Sequence, residues 1–114
     1  MRGTGVAPAE LEDVILRHHA VKDVAVIGVP NEYSGELPKA FVVLENGVPC
    51  TTSTAEMLQS FVKKMVTRVK WIDGGVEFVE EIPKSASGKI LRRVLKVREN
   101  RKLNITSGKT TSNL

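Results

Sequence analysis

Aromatic residues are scarce in this chain: three phenylalanines, one tyrosine and one tryptophan make up 4% of 114 residues. Recognition of nucleic acid combines clustered base with rings that stack on bases, so this scarcity argues against it despite a formal charge of +4. Cysteine is almost absent. Cys50 stands alone, which excludes an internal disulfide, and nothing beside it resembles a CxxC pair or an activated thiol. It is expected to be reduced and passive. No apolar run approaches the length of a membrane span, and Met1-Arg2-Gly3-Thr4-Gly5 lacks the apolar stretch of a secretory leader, so the chain is expected to be soluble and intracellular. What remains is 41% hydrophobic residues, enough for one modest core.

Periodicity divides the chain into six elements. Pro8 suits a first helical turn, and Glu10 and Glu12 suit its positive end; Leu11, Val14, Ile15 and His18 then recur at 3 and 4 spacing. His18-His19 is read as a helix-end pair rather than a metal site, since no second ligand pair has suitable spacing. Val24 to Val29 and Ala40 to Leu44 are apolar runs that fit strands, joined by a loop over 30–38 that is rich in turn residues. Asn46-Gly47 marks another turn. Ser53-Thr54-Ala55-Glu56 reads as a capping box opening a second helix with Leu58, Phe61, Val62, Met65 and Val69 on its apolar side; Met57 and Met65 are read as core filler. Gly74-Gly75 introduces a third strand over 76–82, and Ile90, Leu91, Val94, Leu95 and Val97 set out a third helix. The expected class is α+β: a small sheet of about three strands covered by about three helices.

Between the last strand and the last helix lies Pro83-Lys84-Ser85-Ala86-Ser87-Gly88-Lys89. Pro83 restricts φ and Gly88 admits backbone angles that other residues avoid, so this loop can hold one shape and present Lys89 at the helix start. Lysine is a compact cation with three donors, suited to lying between a carboxylate and a phosphate. On composition alone, a solvated loop lysine is the simpler reading.

Four stretches change that balance. Pro83 to Arg93 (PKSASGKILRR) resembles the C-terminal signature of the adenylate-forming superfamily of acyl-CoA synthetases, 4-coumarate-CoA ligases and beetle luciferases. Val6 to Glu12, Asp23 to Glu32 and Gly35 to Val43 resemble the same family in the same order. The resemblance implies that residues 1–98 are the small mobile lid domain of an AMP-binding enzyme and that the large N-terminal domain with the ATP loop and the acyl pocket is a missing partner; residues 99–114, where the pattern dissolves into polar residues, are expected to be a disordered tail. It implies ATP, Mg2+ and CoA as cofactors and substrates of the complete enzyme, with none bound by this chain alone, and a carboxylic acid as the substrate activated. Lys89 matches the lysine used in adenylation. Gly3 matches a glycine lining the pantetheine tunnel, and Gly88 joins it as a cofactor-contacting position. The usual K-G-aromatic-Q is replaced here by Arg2-Gly3-Thr4-Gly5, a departure that falls on the thioester-forming half-reaction. The ending S-G-K-I-L-R-R favours acyl-CoA ligases over peptide-synthetase domains and luciferases.

The tail carries three decoys. Ser107-Gly108-Lys109-Thr110 ends like a phosphate-binding loop but has Leu103 where the first glycine belongs. Asn104-Ile105-Thr106 is a glycosylation sequon without a leader. Ser112-Asn113-Leu114 falls one residue short of a peroxisomal address, leaving the cytoplasm as the expected location and the peroxisome as the alternative. The expected molecule is a monomeric, catalytically incomplete part of an acid-thiol ligase, with no membrane contact. The competing reading is a stand-alone binding or regulatory module that docks on a full-length synthetase.

Overall fold

The computed structural model of the chain describes residues 7–33, 35–66 and 71–112, the side chains of 103–112 excepted. The elements follow in the order α1 (Pro8–Leu16), β1 (Val21–Asn31), β2 (Gly35–Leu44), α2 (Thr52–Met65), β3 (Gly75–Phe78) and α3 (Arg92–Ser112). The chain forms two compact units, Met1–Ile82 and Pro83–Leu114.

In the first unit, β1 and β2 pair antiparallel and β2 pairs parallel with β3, giving a mixed sheet in the order β1-β2-β3. Alternation along the strands sends Val24, Val26, Ala40 and Val42 to one face, where they form the core with Leu11 and Ile15 of α1 and Leu58 and Val62 of α2. Val76 and Phe78 of β3 pack against that cluster. The opposite face carries Ala25, Ile27 and Phe41, which are also buried. Each helix therefore contributes a stripe at 4 spacing to one apolar layer, and a sheet this small becomes stable by being packed on helices.

Several boundaries differ from the sequence reading. Residues 30–38 are mostly strand: β1 runs to Asn31 and β2 starts at Gly35, with Asn31 paired to Gly35. Asn31 Oδ1 accepts from the Tyr33 amide at 3.0 Å, and Gly35 adopts φ 83°, which turns the chain back between the paired Asn31 and Gly35. The prolines do not prevent this. Pro30 lies on the edge strand, and Pro38 lies just before Lys39, the first β2 residue that β3 pairs, so the ladder asks least of their missing N–H groups at these positions.

The cap of α2 is Thr51, whose hydroxyl accepts from the Thr54 amide at 3.2 Å, so the Ser53–Glu56 capping box is not the one used. Thr54 donates in turn to the Pro49 carbonyl at 2.8 Å, and this bond draws the helix start two residues upstream. Met57 and Met65 are exposed rather than core filler, because Leu58 and Val62 take the inward side of α2; Val69 lies outside the described residues. The strand expected over 76–82 ends at Phe78. It opens at Gly74-Gly75, where the Gly74 amide donates to the Pro38 carbonyl at 2.6 Å and a Cβ on Gly74 would lie 2.6 Å from that same oxygen. The close approach requires glycine there.

In the second unit, α3 begins at Arg92, two residues later than the apolar pattern suggests, because Ile90 bridges to Lys84 and the Leu91 amide donates to the Pro83 carbonyl. Leu95 is buried, whereas Leu91 and Val97 are exposed. The backbone continues as helix to Ser112, through much of the segment read from its polarity as a disordered tail. No proline follows Pro83, and the arginines and lysines there are good helix formers. Residues 113 and 114 lie outside the described residues.

Candidate functional site

The loop singled out in the sequence is a tight β-hairpin. The Pro83 carbonyl accepts from the Leu91 amide at 2.9 Å, Lys84 and Ile90 form an antiparallel bridge, and the Ser85 amide donates to the Lys89 carbonyl at 2.9 Å. Three residues, Ala86, Ser87 and Gly88, close it. The Gly88 amide donates to the Ser85 carbonyl at 2.9 Å, and Gly88 takes φ 87°. This is the pattern of a three-residue hairpin loop that ends on a left-handed residue. A Cβ on Gly88 would meet nothing within 4 Å, so the requirement for glycine is conformational rather than steric.

Lys89 stands on the returning arm of this hairpin, three residues before α3, and not at the helix start. Both of its backbone polar groups are held by Ser85: its carbonyl accepts from the Ser85 amide, and its amide donates to Ser85 Oγ at 3.2 Å. Its side chain is exposed and makes no ion pair among the described residues. Pairing places Ser85 and Lys89 on one face of the hairpin and Lys84 and Ile90 on the other, so the two lysines alternate in direction. A fixed backbone carrying an uncommitted ammonium can enter an anionic site and neutralise charge there without first breaking an ion pair.

Of the other site residues expected from sequence, Gly88 adjoins Lys89, while Gly3 lies outside the described residues. Among the described residues no group of three or more His, Cys, Asp or Glu could hold a metal ion. His18 and His19, read as a helix-end pair, lie just beyond the helix. The helix α1 ends at Leu16, and their rings stack with centroids 4.7 Å apart while His18 meets Phe61 edge-on at 5.0 Å. His18 Nδ1 accepts from the Ala20 amide at 3.1 Å, and burial, then the charge of His19, lowers its pKa below the usual 6.5.

Three polar features escaped the sequence. Glu12 does not face solvent at the helix start: it is buried, and its Oε2 accepts from the Val26 amide on the edge strand β1 at 2.8 Å. Lys39 pairs with Glu77 across β2 and β3 at 3.0 Å and lies 5.1 Å from the Phe41 ring centre. The Glu36 carboxylate crosses directly over Gly28, where a Cβ would collide with it. The interruption of an apolar run by Gly28 is a signal for such a close approach. Glu12 and Lys39 have no local counterpart to it.

The chain matches the model of the AMP-binding enzyme C-terminal domain over residues 10–89. It is 44% identical to a luciferin 4-monooxygenase of Photuris pensylvanica over 83% of this chain and 17% of that protein. It is 45% identical to an acyl-CoA ligase of Purpureocillium lilacinum over 84% and 25% respectively. Among solved structures, an acyl-CoA synthetase of Brucella canis superposes with a TM-score of 0.80 at 40% identity, covering 84% of this chain and 18% of that one. The chain thus spans a quarter or less of each of these proteins. No described helix is long and apolar enough to cross a membrane. The hairpin that presents Lys89 closes the matched segment, and the chain belongs to the AMP-binding enzyme C-terminal domain family.

Proposed function

We propose that this domain is the lid of an acyl- or aryl-CoA synthetase and that Lys89 serves the adenylation half-reaction. The large N-terminal domain that holds ATP and the carboxylic acid is its partner, and one copy of the lid serves one large domain, in the cytoplasm. In that reaction a carboxylate oxygen attacks the α-phosphorus of ATP, the bond to the β-phosphate bridging oxygen breaks, and pyrophosphate leaves. Lys89 Nζ donates to the carboxylate and to a non-bridging α-phosphate oxygen, where negative charges converge as the new bond forms. In the second half-reaction the CoA thiol attacks the acyl carbonyl, loses its proton and displaces AMP. Gly3 lines the channel for the pantetheine arm, and Gly88 lets the hairpin backbone approach the nucleotide. Magnesium, bound with ATP in the complete enzyme, offsets the charge of the triphosphate.

The observation that carries this reading is the hydrogen-bonded hairpin presenting an unpaired Lys89 at the end of the matched segment. The test joins this chain to the large domain of an acyl-CoA synthetase and measures the two half-reactions separately. Lys89→Ala is expected to slow adenylation by about 100-fold or more, the scale for losing one preorganised donor, and to affect thioester formation from supplied acyl-adenylate far less. Lys89→Arg should rescue poorly, since a planar guanidinium does not reproduce a point charge. Arg92→Ala should cost much less than Lys89→Ala. Equal losses for Lys89→Ala and Arg92→Ala, or equal damage to both half-reactions, would overturn the assignment.

A further inference from the structure

Resting on that role for Lys89, we infer that Ser85 is its positioning residue and that the Ser85 hydroxyl sets how fast the adenylation step runs. The geometry leaves the Lys89 amide without a backbone acceptor in the hairpin. In a wider ladder the carbonyl of the facing residue would take it, but here the Ser85 carbonyl is occupied by the Gly88 amide at 2.9 Å, which the three-residue loop demands. The hydroxyl fills that gap, accepting from the Lys89 amide at 3.2 Å.

The same oxygen lies 3.0 Å from Ser87 Oγ, so the hydroxyl ties the tip of the loop to its returning arm as well. Every backbone polar group of Ser85, and its side chain, is thereby committed to the loop that carries Lys89. Ser85 acts by limiting the excursions of the Lys89 backbone, and hence the fraction of time the ammonium occupies the point between carboxylate and phosphate. Threonine keeps the hydroxyl and alanine deletes it. Ser87→Ala removes only the second contact and leaves the Lys89 amide bonded.

Two measurements test this. In the 114-residue chain, amide hydrogen exchange at Lys89 should quicken by about three- to tenfold in Ser85→Ala, the range for one lost hydrogen bond, with Ser85→Thr and Ser87→Ala near wild type. In the chain joined to a large domain, Ser85→Ala should lower the kcat of adenylation by a similar factor, leave KM for ATP and the rate from supplied acyl-adenylate unchanged, and be rescued by Ser85→Thr. A purely structural role would move both half-reactions, or the melting temperature, to the same degree. If Lys89→Ala slows adenylation but Ser85→Ala does not, this inference fails while the role of Lys89 stands. If Lys89→Ala has no effect, the role of Lys89 fails and this inference fails with it. Unchanged exchange at Lys89 in Ser85→Ala would overturn the inference whatever the kinetics.

Discussion

Protonating His18 penalises the fold in three ways: it charges a partly buried ring, sets that charge against the stacked His19, and removes the Nδ1 lone pair that accepts from the Ala20 amide. Because the folded pKa lies below the ordinary 6.5, the unfolded chain binds the extra proton more readily. The stability that neutral His18 contributes is therefore complete above about 6.5, the unfolded value, and is lost as the pH falls through the lower folded value. Thermal melts of the chain should show the midpoint dropping from pH 7 toward pH 5. His18→Asn, whose Oδ1 can still accept from Ala20 but does not titrate, should flatten that dependence. Identical slopes for the two proteins would show that the acid sensitivity arises elsewhere. His18 illustrates how a residue that continues a helical pattern can still fall outside the helix. Its 3 and 4 spacing after Leu11, Val14 and Ile15 was legible, but whether the helix lasts long enough to carry it was decided by the turn after Leu16.

Elements begin where a side chain reaches an orphaned amide, and α2 offers a direct comparison between two candidates. Thr51 accepts from the Thr54 amide and also shares a hydroxyl contact with Thr54 at 3.1 Å, whereas Ser53 sits inside the first turn. Thr51→Ala is expected to lower stability by about 1 kcal/mol, the usual loss for a removed cap. Ser53→Ala should stay within about 0.5 kcal/mol of wild type, as exposed substitutions without a special role do. Denaturant midpoints of the two variants decide the matter, and a larger loss at Ser53 would restore the capping box. The sequence motif was sound chemistry in the wrong register. Both segments have a hydroxyl residue three positions before a possible partner, and Pro49, whose carbonyl holds Thr54, breaks the tie through a contact five residues away. At 83–91 the constrained loop was legible, because Pro83 and Gly88 limit the backbone by their own covalent structure, but the pairing that makes it a hairpin and sets Lys89 on the returning arm was not.

At the scale of the whole molecule, the chain covers 17% to 25% of the two relatives described above, and its candidate chemistry rests on one exposed lysine. A single ammonium supplies part of a transition state and no pocket for its substrates. The purified 114-residue chain, given ATP, magnesium and a panel of fatty and cinnamic acids, is expected to release pyrophosphate at the background rate. Carboxylate-dependent release by the chain alone would refute the proposed role as a lid that needs a partner. The sequence by itself determined the order of the six elements, the apolar layer of Leu11, Ile15, Leu58 and Val62, and the constrained loop residues that lead to Lys89, because periodicity, proline and left-handed glycine act within a few residues of themselves. Tertiary structure alone decided that Glu12 would close on the edge strand, fourteen residues away, and that Lys39 would meet Glu77, thirty-eight residues away. A charged residue looks the same in sequence whether it faces water or a buried amide. The difference is set only when the sheet and helices have packed and left one polar group within reach of another.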